Sequence, residues 1–231
     1  MKLKISLLFC LMTSSLFAIA QSDDKIKKYN HLVGLQVNQL IRQVLNFGGN
    51  SAAINNPYLL TYSLQRIAKK DALDIGLGYT YTNSFQNDGN VKNENHLNEL
   101  YLRVGYQTQL FSSGRFTSQC SIHGLFELFN NKTKVEQDFN SQITKVNTKS
   151  DIVRYGISPT LGLRYKINDR LFIGTEASYA FRLGTRKSTS TSETIFVNFP
   201  SPPQITTTES DNDLTQLQLQ LPTAIFAVLR F

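Results

Sequence analysis

The 231-residue sequence has no tryptophan, two methionines, three histidines and two cysteines. Two cysteines cannot build a disulfide scaffold, and without a CxxC pair or a Cys/His cluster the usual zinc frameworks are excluded as well. Charged residues make up only 18% of the chain, below the ~25% of an ordinary soluble domain, yet hydrophobic residues reach only 41%. Beyond residue 20, no apolar run approaches the ~18 residues a spanning helix needs, which excludes a polytopic helical membrane protein. No Lys/Arg run is interleaved with aromatics, so nucleic acid is not an expected partner.

What the chain does have is a leader, many aromatics and a period of two. Lys2 and Lys4 precede the uncharged, mostly apolar stretch Ile5 to Ala20, which closes on the small-x-small triplet Ala18-Ile19-Ala20. Residues 1–20 are expected to be a secretory signal peptide, with 21–231 a single domain. Its removal takes away Lys2, Lys4 and Cys10, lowers the formal charge from +7 to +5 and leaves Cys120 as the one thiol.

In the mature chain, Leu73, Ile75, Leu77, Tyr79 and Tyr81 alternate with Asp74, Gly76, Gly78, Thr80 and Thr82. From Val153 to Tyr165 a second segment alternates in the same way. A strand sends i, i+2 and i+4 to one face, so each segment has one apolar and one polar face. Eight such segments are expected near 31–45, 57–67, 72–82, 98–110, 115–129, 152–166, 170–183 and 214–231. Three of the connections are short, while those over 46–56, 83–97, 130–151 and 184–213 are long. Short turns at one end and long loops at the other predict an all-β, eight-stranded antiparallel up-and-down transmembrane β-barrel. The first segment loses phase near Gln39, and Pro159 and Pro222 interrupt strands six and eight, so local irregularities are expected there.

The apolar face is expected outward, against lipid. The polar face carries Asp74, Glu99, Glu127 and Glu176 against Arg103, Arg154, Arg164 and Arg182, with His123 among them. Opposed charges of this kind would neutralise one another inside a lumen that eight strands leave just wide enough for side chains, so a plug is expected there and not a channel. On the apolar face, Tyr58, Tyr79, Tyr81, Phe126, Tyr155, Tyr179 and Phe181 gather toward the loop end, and Tyr106, Phe116 and Tyr165 toward the turn end. Two aromatic girdles are expected where rings meet headgroups.

Leu217, Leu219, Leu221, Ile225, Ala227, Leu229 and the terminal Phe231 resemble the last strand of bacterial outer-membrane β-barrel proteins. The mature chain as a whole is similar in plan to the small eight-stranded barrels of the OmpA transmembrane-domain and OmpX type. The resemblance implies a bacterial outer-membrane location, lipid as surroundings, and recognition of Phe231 by the outer-membrane insertion machinery. It carries no motif for an activity. A monomer without cofactor or metal is expected, with a structural or surface-contact role played through its loops.

Two rival functions share these features. A soluble secreted barrel would hide its apolar face inside and bind a small apolar ligand there. A lipid A deacylase or acyltransferase would need a nucleophile and a base, and Ser121 with His123 is the best available pair. Both residues point into the expected lumen, away from lipid. His96 with Glu94 and Glu99 is too thin a set for a metal. The apolar stretch Thr194 to Pro200 is either a contact surface on the last loop or a continuation of strands seven and eight as a hairpin.

Overall fold

A computed structural model describes residues 28–37, 58–139, 142–197 and 201–231. The expected signal peptide, the first long loop and the irregularity at Gln39 lie outside the described residues. Eight strands follow in order: β1 (Tyr29–Gln36), β2 (Tyr58–Arg66), β3 (Asp71–Asn87), β4 (Val91–Ser113), β5 (Phe116–Phe139), β6 (Gln142–Lys166), β7 (Leu171–Phe196) and β8 (Gln204–Arg230). Each pairs antiparallel with the next, and β1 closes on β8 through Leu32–Gln36 and Phe226–Arg230. Closure leaves no unpaired edge around the ring it joins, which is the condition for strands to cross a bilayer.

The short connections have the chemistry their geometry needs. Gly114 takes a positive φ at the first position of a two-residue turn, the type II′ arrangement that suits a hairpin's twist. In the β6–β7 turn, Asn168 Oδ1 accepts hydrogen bonds from the Arg170 and Leu171 amides at 2.9 and 2.8 Å.

The strands are longer than the alternation suggests. The segments 83–97, 130–151 and 184–213, expected as loops, are mostly ladder: β3–β4 stay paired to Asn87 and Lys92, β5–β6 to Phe139 and Gln142, and β7–β8 to Thr194 and Gln204. Thr194 still pairs with Gln204 on β8, while Ile195 and Phe196 pair with Ile143 and Gln142 on β6, so the last apolar stretch begins as strand; residues 198–200 lie outside the described residues. The prolines behave differently from each other. At Pro159 the β6–β7 ladder skips two residues and resumes in the same register. Near Pro222 the β7–β8 register shifts between Glu176 and Ser178.

Outward-facing side chains are apolar in one band and polar above it. On β6, Val153, Tyr155, Ile157, Leu161, Leu163 and Tyr165 are all exposed. Thirteen residues from Val153 to Tyr165, rising about 3.3 Å each at a tilt near 40°, span about 30 Å, the thickness of a bilayer core. On other strands, Leu73, Ile75 and Leu77, Leu100 to Tyr106 at alternate positions, and Leu217, Leu219 and Leu229 complete the belt. Above it the same face carries Asn83, Asn130, Lys149 and Thr185. A soluble barrel would bury this face, so the belt excludes that rival.

Candidate functional site: the barrel lumen

Facing inward along β3 to β7 are all nine residues of the expected charge network. Asp74, Glu99, Arg103, His123, Glu127 and Arg182 are buried, and Arg154, Arg164 and Glu176 are half-buried. Glycines on the neighbouring strand make the room. A Cβ on Gly76 would lie 2.7 Å from Arg103 Cγ, and one on Gly105 would lie 2.5 Å from His123 Cδ2. The long side chains therefore lie flat along the wall over glycine.

Two groups of partners result. In the lower one, Arg103 donates to Glu176 at 2.5 Å and 3.2 Å and lies 3.5 Å from Asp74. Asp74 also accepts from Ser63 at 2.5 Å and faces His123 Nε2 at 3.0 Å, while His123 Nδ1 lies 3.4 Å from Thr160 Oγ1. In the upper one, Arg182 Nε donates to Glu127 at 2.7 Å, and Arg154 Nε lies 2.9 Å from the other Glu127 oxygen. That second contact is a charge pairing outside hydrogen-bond geometry, because neither atom has a hydrogen-bond partner among the described residues. Gln216 and Gln218 on β8 accept from Arg154 at 2.8 Å and from Arg182 at 2.7 Å. Glu99 makes no hydrogen bond or ion pair among the described residues, and Arg164 has a single long contact of 3.5 Å with Gln107.

These layers divide the lumen. A cavity of about 630 Å³ lies on the long-hairpin side, bounded below by Arg103, His123, Thr160 and Glu176. A second cavity of about 260 Å³ lies on the short-turn side, under Gln107, Gln119 and Arg164. They share no lining residue, and Asp74 and Ser63 line neither.

Several lumen residues escaped sequence reasoning. Leu32, Leu59, Phe226 and Val228 form an inward apolar cluster against which Tyr101 and Phe172 pack. The run Ala224 to Leu229 held the signal: with no polar alternate, it offers an apolar residue to both faces. Gln107, Gln119, Gln216 and Gln218 were equally silent, since glutamine is ordinary on any exposed strand.

Outward placement accounts for the aromatics. Tyr79, Tyr81, Tyr106, Phe116, Phe126, Tyr155, Tyr165, Tyr179 and Phe181 are all exposed on the belt, and the side chain of Tyr58 lies outside the described residues. Phe231 is exposed at the turn end, its amide bonded to the His31 carbonyl at 2.9 Å. His96 and Glu94 point outward and Glu99 inward, so the three cannot converge on a metal; Glu94 pairs with Lys134 at 3.7 Å.

A closed ring of eight strands with an outward apolar belt and a polar interior defines a small outer-membrane β-barrel. No family model matches the sequence, and no curated protein matches it. Among solved structures, CarO of Acinetobacter baumannii aligns over 91% of this chain and 100% of its own at 10% identity, with a TM-score of 0.41. The monoaromatic hydrocarbon channel CymD aligns over 89% and 87% at 8% identity and a TM-score of 0.26. The P. putida toluene transporter TodX aligns over 87% and 88% at 8% identity and a TM-score of 0.23. At these values the likenesses carry no argument about activity, and the class rests on the barrel's own geometry.

Proposed function

We propose that this outer-membrane barrel is a surface-contact protein: a plugged, rigid ring that holds polar β-hairpins above the bilayer and has no catalytic role. The observation that supports this most directly is the length of the ladders. β7 and β8 remain paired from Leu183 and Thr215 at the top of the belt to Thr194 and Gln204. That is about eleven residues more than crossing requires, or roughly 30 Å of tilted strand. Loops that merely connected strands would not need it. The faces they present are rich in Thr, Ser, Asn and Lys, which suits contact with a hydrated partner.

A catalytic reading has one observation in its favour. Thr160, His123 and Asp74 stand in hydroxyl–imidazole–carboxylate order. His123 is only 2% exposed, however, and its group is walled off from the lipid by the barrel. A lipid A acyl chain has no approach to it. Expression of the wild-type protein should leave lipid A acylation unchanged; a change that disappears in His123→Ala would defeat the non-catalytic reading.

The contact role is tested by shortening. Removing residues 190–208 and joining Thr189 to Glu209 through a two-residue turn keeps the belt and the ring intact. Cells displaying this variant should lose adhesion to the surfaces that wild-type cells bind, while heat-modifiable gel mobility stays the same. Adhesion unaffected by the deletion, or steady ion conductance of the wild-type barrel in planar bilayers, would overturn the proposal.

A further inference from the structure

The lower cavity differs from the rest of the lumen in its charge. Arg115, Arg164, Lys166 and Arg230 line it, together with glutamines including Gln107 and Gln119, and among the described residues no aspartate or glutamate does. At the level of the bilayer Arg103, Arg154 and Arg182 each hold a carboxylate: Arg103 has Glu176 and Asp74, and Arg154 and Arg182 share Glu127. Arg164 does not. Its stem lies over Gly174, where a Cβ would come within 3.1 Å of Arg164 Cγ, and its single hydrogen bond among the described residues is the long one to Gln107. The nearest lumen carboxylates, Asp74 and Glu176, are already engaged by Arg103.

The other cations of this cavity are similarly free of lumen acids. Among the described residues the Arg115 side chain donates only to the Tyr165 hydroxyl, at 3.4 Å, and the Arg230 guanidinium sits 5.4 Å over the Phe172 ring. Asp169, in the exposed turn, pairs with Lys166 at 2.6 Å and lies within electrostatic reach of Arg230. A cup of four cations lined by amides, open at the short-turn end, holds more positive charge than the acids around it among the described residues offset. A concave surface of one charge sign draws an anion to it.

We propose that this mouth is a binding site for a phosphate group. Guanidinium forks match phosphate oxygens in pairs, and glutamine NH2 groups add neutral donors around the same centre. A phosphate brings up to two negative charges and several acceptor oxygens to a cup of several cations. A carboxylate brings one charge and two acceptors, which leaves most of the cup uncompensated. The cavity's 260 Å³ accommodates a tetrahedral oxyanion and a few waters. Short turns of a barrel of this class face the periplasm, at the depth of the inner-leaflet headgroups. The phosphate therefore comes either as free inorganic phosphate or as a phospholipid headgroup.

The purified barrel in a maltoside detergent is titrated calorimetrically with inorganic phosphate at constant ionic strength, chloride supplying the balance. In parallel, it is placed in phosphatidylcholine nanodiscs containing a minor fraction of phosphatidylglycerol, and the retained lipid is counted by native mass spectrometry. Saturable phosphate binding that weakens at least tenfold in Arg164→Gln assigns free phosphate. Arg164-dependent retention of phosphatidylglycerol without such binding assigns the headgroup. Gln218→Ala, in the upper cavity, should change neither. Should Arg164→Gln fail to fold, Arg115→Gln and Arg230→Gln at the open end carry the same test. Absence of both signals, or signals that survive these substitutions, overturns the proposal.

Discussion

Leu161 offers a direct measure of the bilayer's hold on the barrel. It faces outward at 54% exposure, and its ladder neighbours are Cys120 on β5 and Ala177 on β7. Both are small, so Leu161 covers much of its own stretch of belt. It lies four residues above Tyr165, about 10 Å inside the lower rim and about 5 Å from the midpoint of the Val153–Tyr165 span. An arginine on the lipid face costs about 2–4 kcal/mol at the midplane and about 0–1 kcal/mol at the interface. The offset, and the chance for the side chain to lean over Cys120 and Ala177 toward the headgroups, put Leu161→Arg at about 2–3 kcal/mol. That is roughly a 30- to 150-fold loss in the folding constant. Tyr165→Arg, at the rim, should cost about 1 kcal/mol or less. The chain has no tryptophan, so the usual fluorescence probe is missing, and reversible urea unfolding into vesicles is best read by heat-modifiable gel mobility. Thicker bilayers should raise the Leu161→Arg cost and leave Thr160→Arg, which points into the lumen, unaffected by thickness. Equal costs for Leu161→Arg and Tyr165→Arg, or a thickness dependence for Thr160→Arg, would refute the assignment of faces.

Two further outcomes follow from the charges. Arg103→Met strands Glu176 and takes one partner from Asp74, and should cost about 3–5 kcal/mol, whereas Glu176→Leu leaves Arg103 its contact with Asp74 and should cost less; in a double-mutant cycle on vesicle unfolding the double substitution should cost less than the two together, and simple addition of the two costs would show that the pair is not coupled. Above the membrane, Lys92 Nζ bonds Glu136 at 3.0 Å and holds its carboxyl below the usual range. A depressed folded-state value means that this contribution is present above the unfolded pKa and is lost as pH falls through the folded one. Amide exchange near Lys92 and Glu136, corrected for intrinsic rates, should therefore rise on going from pH 7 to about pH 3.5 at low salt, and unchanged protection would dismiss the pair as a contributor.

How much of this was legible in the sequence depended on what lies on each side of a strand. Where lipid meets one face and the lumen the other, as from Leu73 to Tyr81 or Val153 to Tyr165, apolar and polar residues alternate and the strand reads itself out. From Gly184 to Thr194, water lies on both sides. Thr, Ser, Lys and Glu then fill both faces, the contrast vanishes, and the ladder looks like a loop. At β1 and β8 the reverse occurs, because the apolar cluster of Leu32, Leu59, Phe226 and Val228 puts greasy residues inside as well. The charged lumen residues were legible by parity alone. Their pairing was not, because it depends on glycines such as Gly76 and Gly105 on the strand next door, and strand register has to be known before neighbours can be named.

Parity also explains why the two bulges sit where they do. In the β4–β5 ladder, Gln109 faces Gln119 and Phe111 faces Ser118, so Leu110 is one extra residue. One extra residue exchanges the faces. Above it the odd residues Arg103 and Gln107 point inward, and below it Ser112 lines the lower cavity instead. The switch falls next to the turn, where Leu110 and Phe111 are both exposed at the rim. Near Pro222, by contrast, a single residue on β7, Ala177, opposes three on β8, Leu221 to Thr223, an excess of two. Two extra residues restore the faces, so Gln216 and Gln218 above and Phe226 and Val228 below all look inward while Leu217, Leu219 and Leu229 meet lipid. Removing Thr223 alone leaves an excess of one, the arrangement that β4 already accommodates at Leu110, so both halves of β8 keep their partners on β7 and their faces. Removing Pro222 and Thr223 together keeps the faces and regularises the pairing. Both deletions should therefore retain the heat-modifiable folded form. Loss of the folded form in either deletion would show that the two-residue excess at Pro222 serves something other than parity.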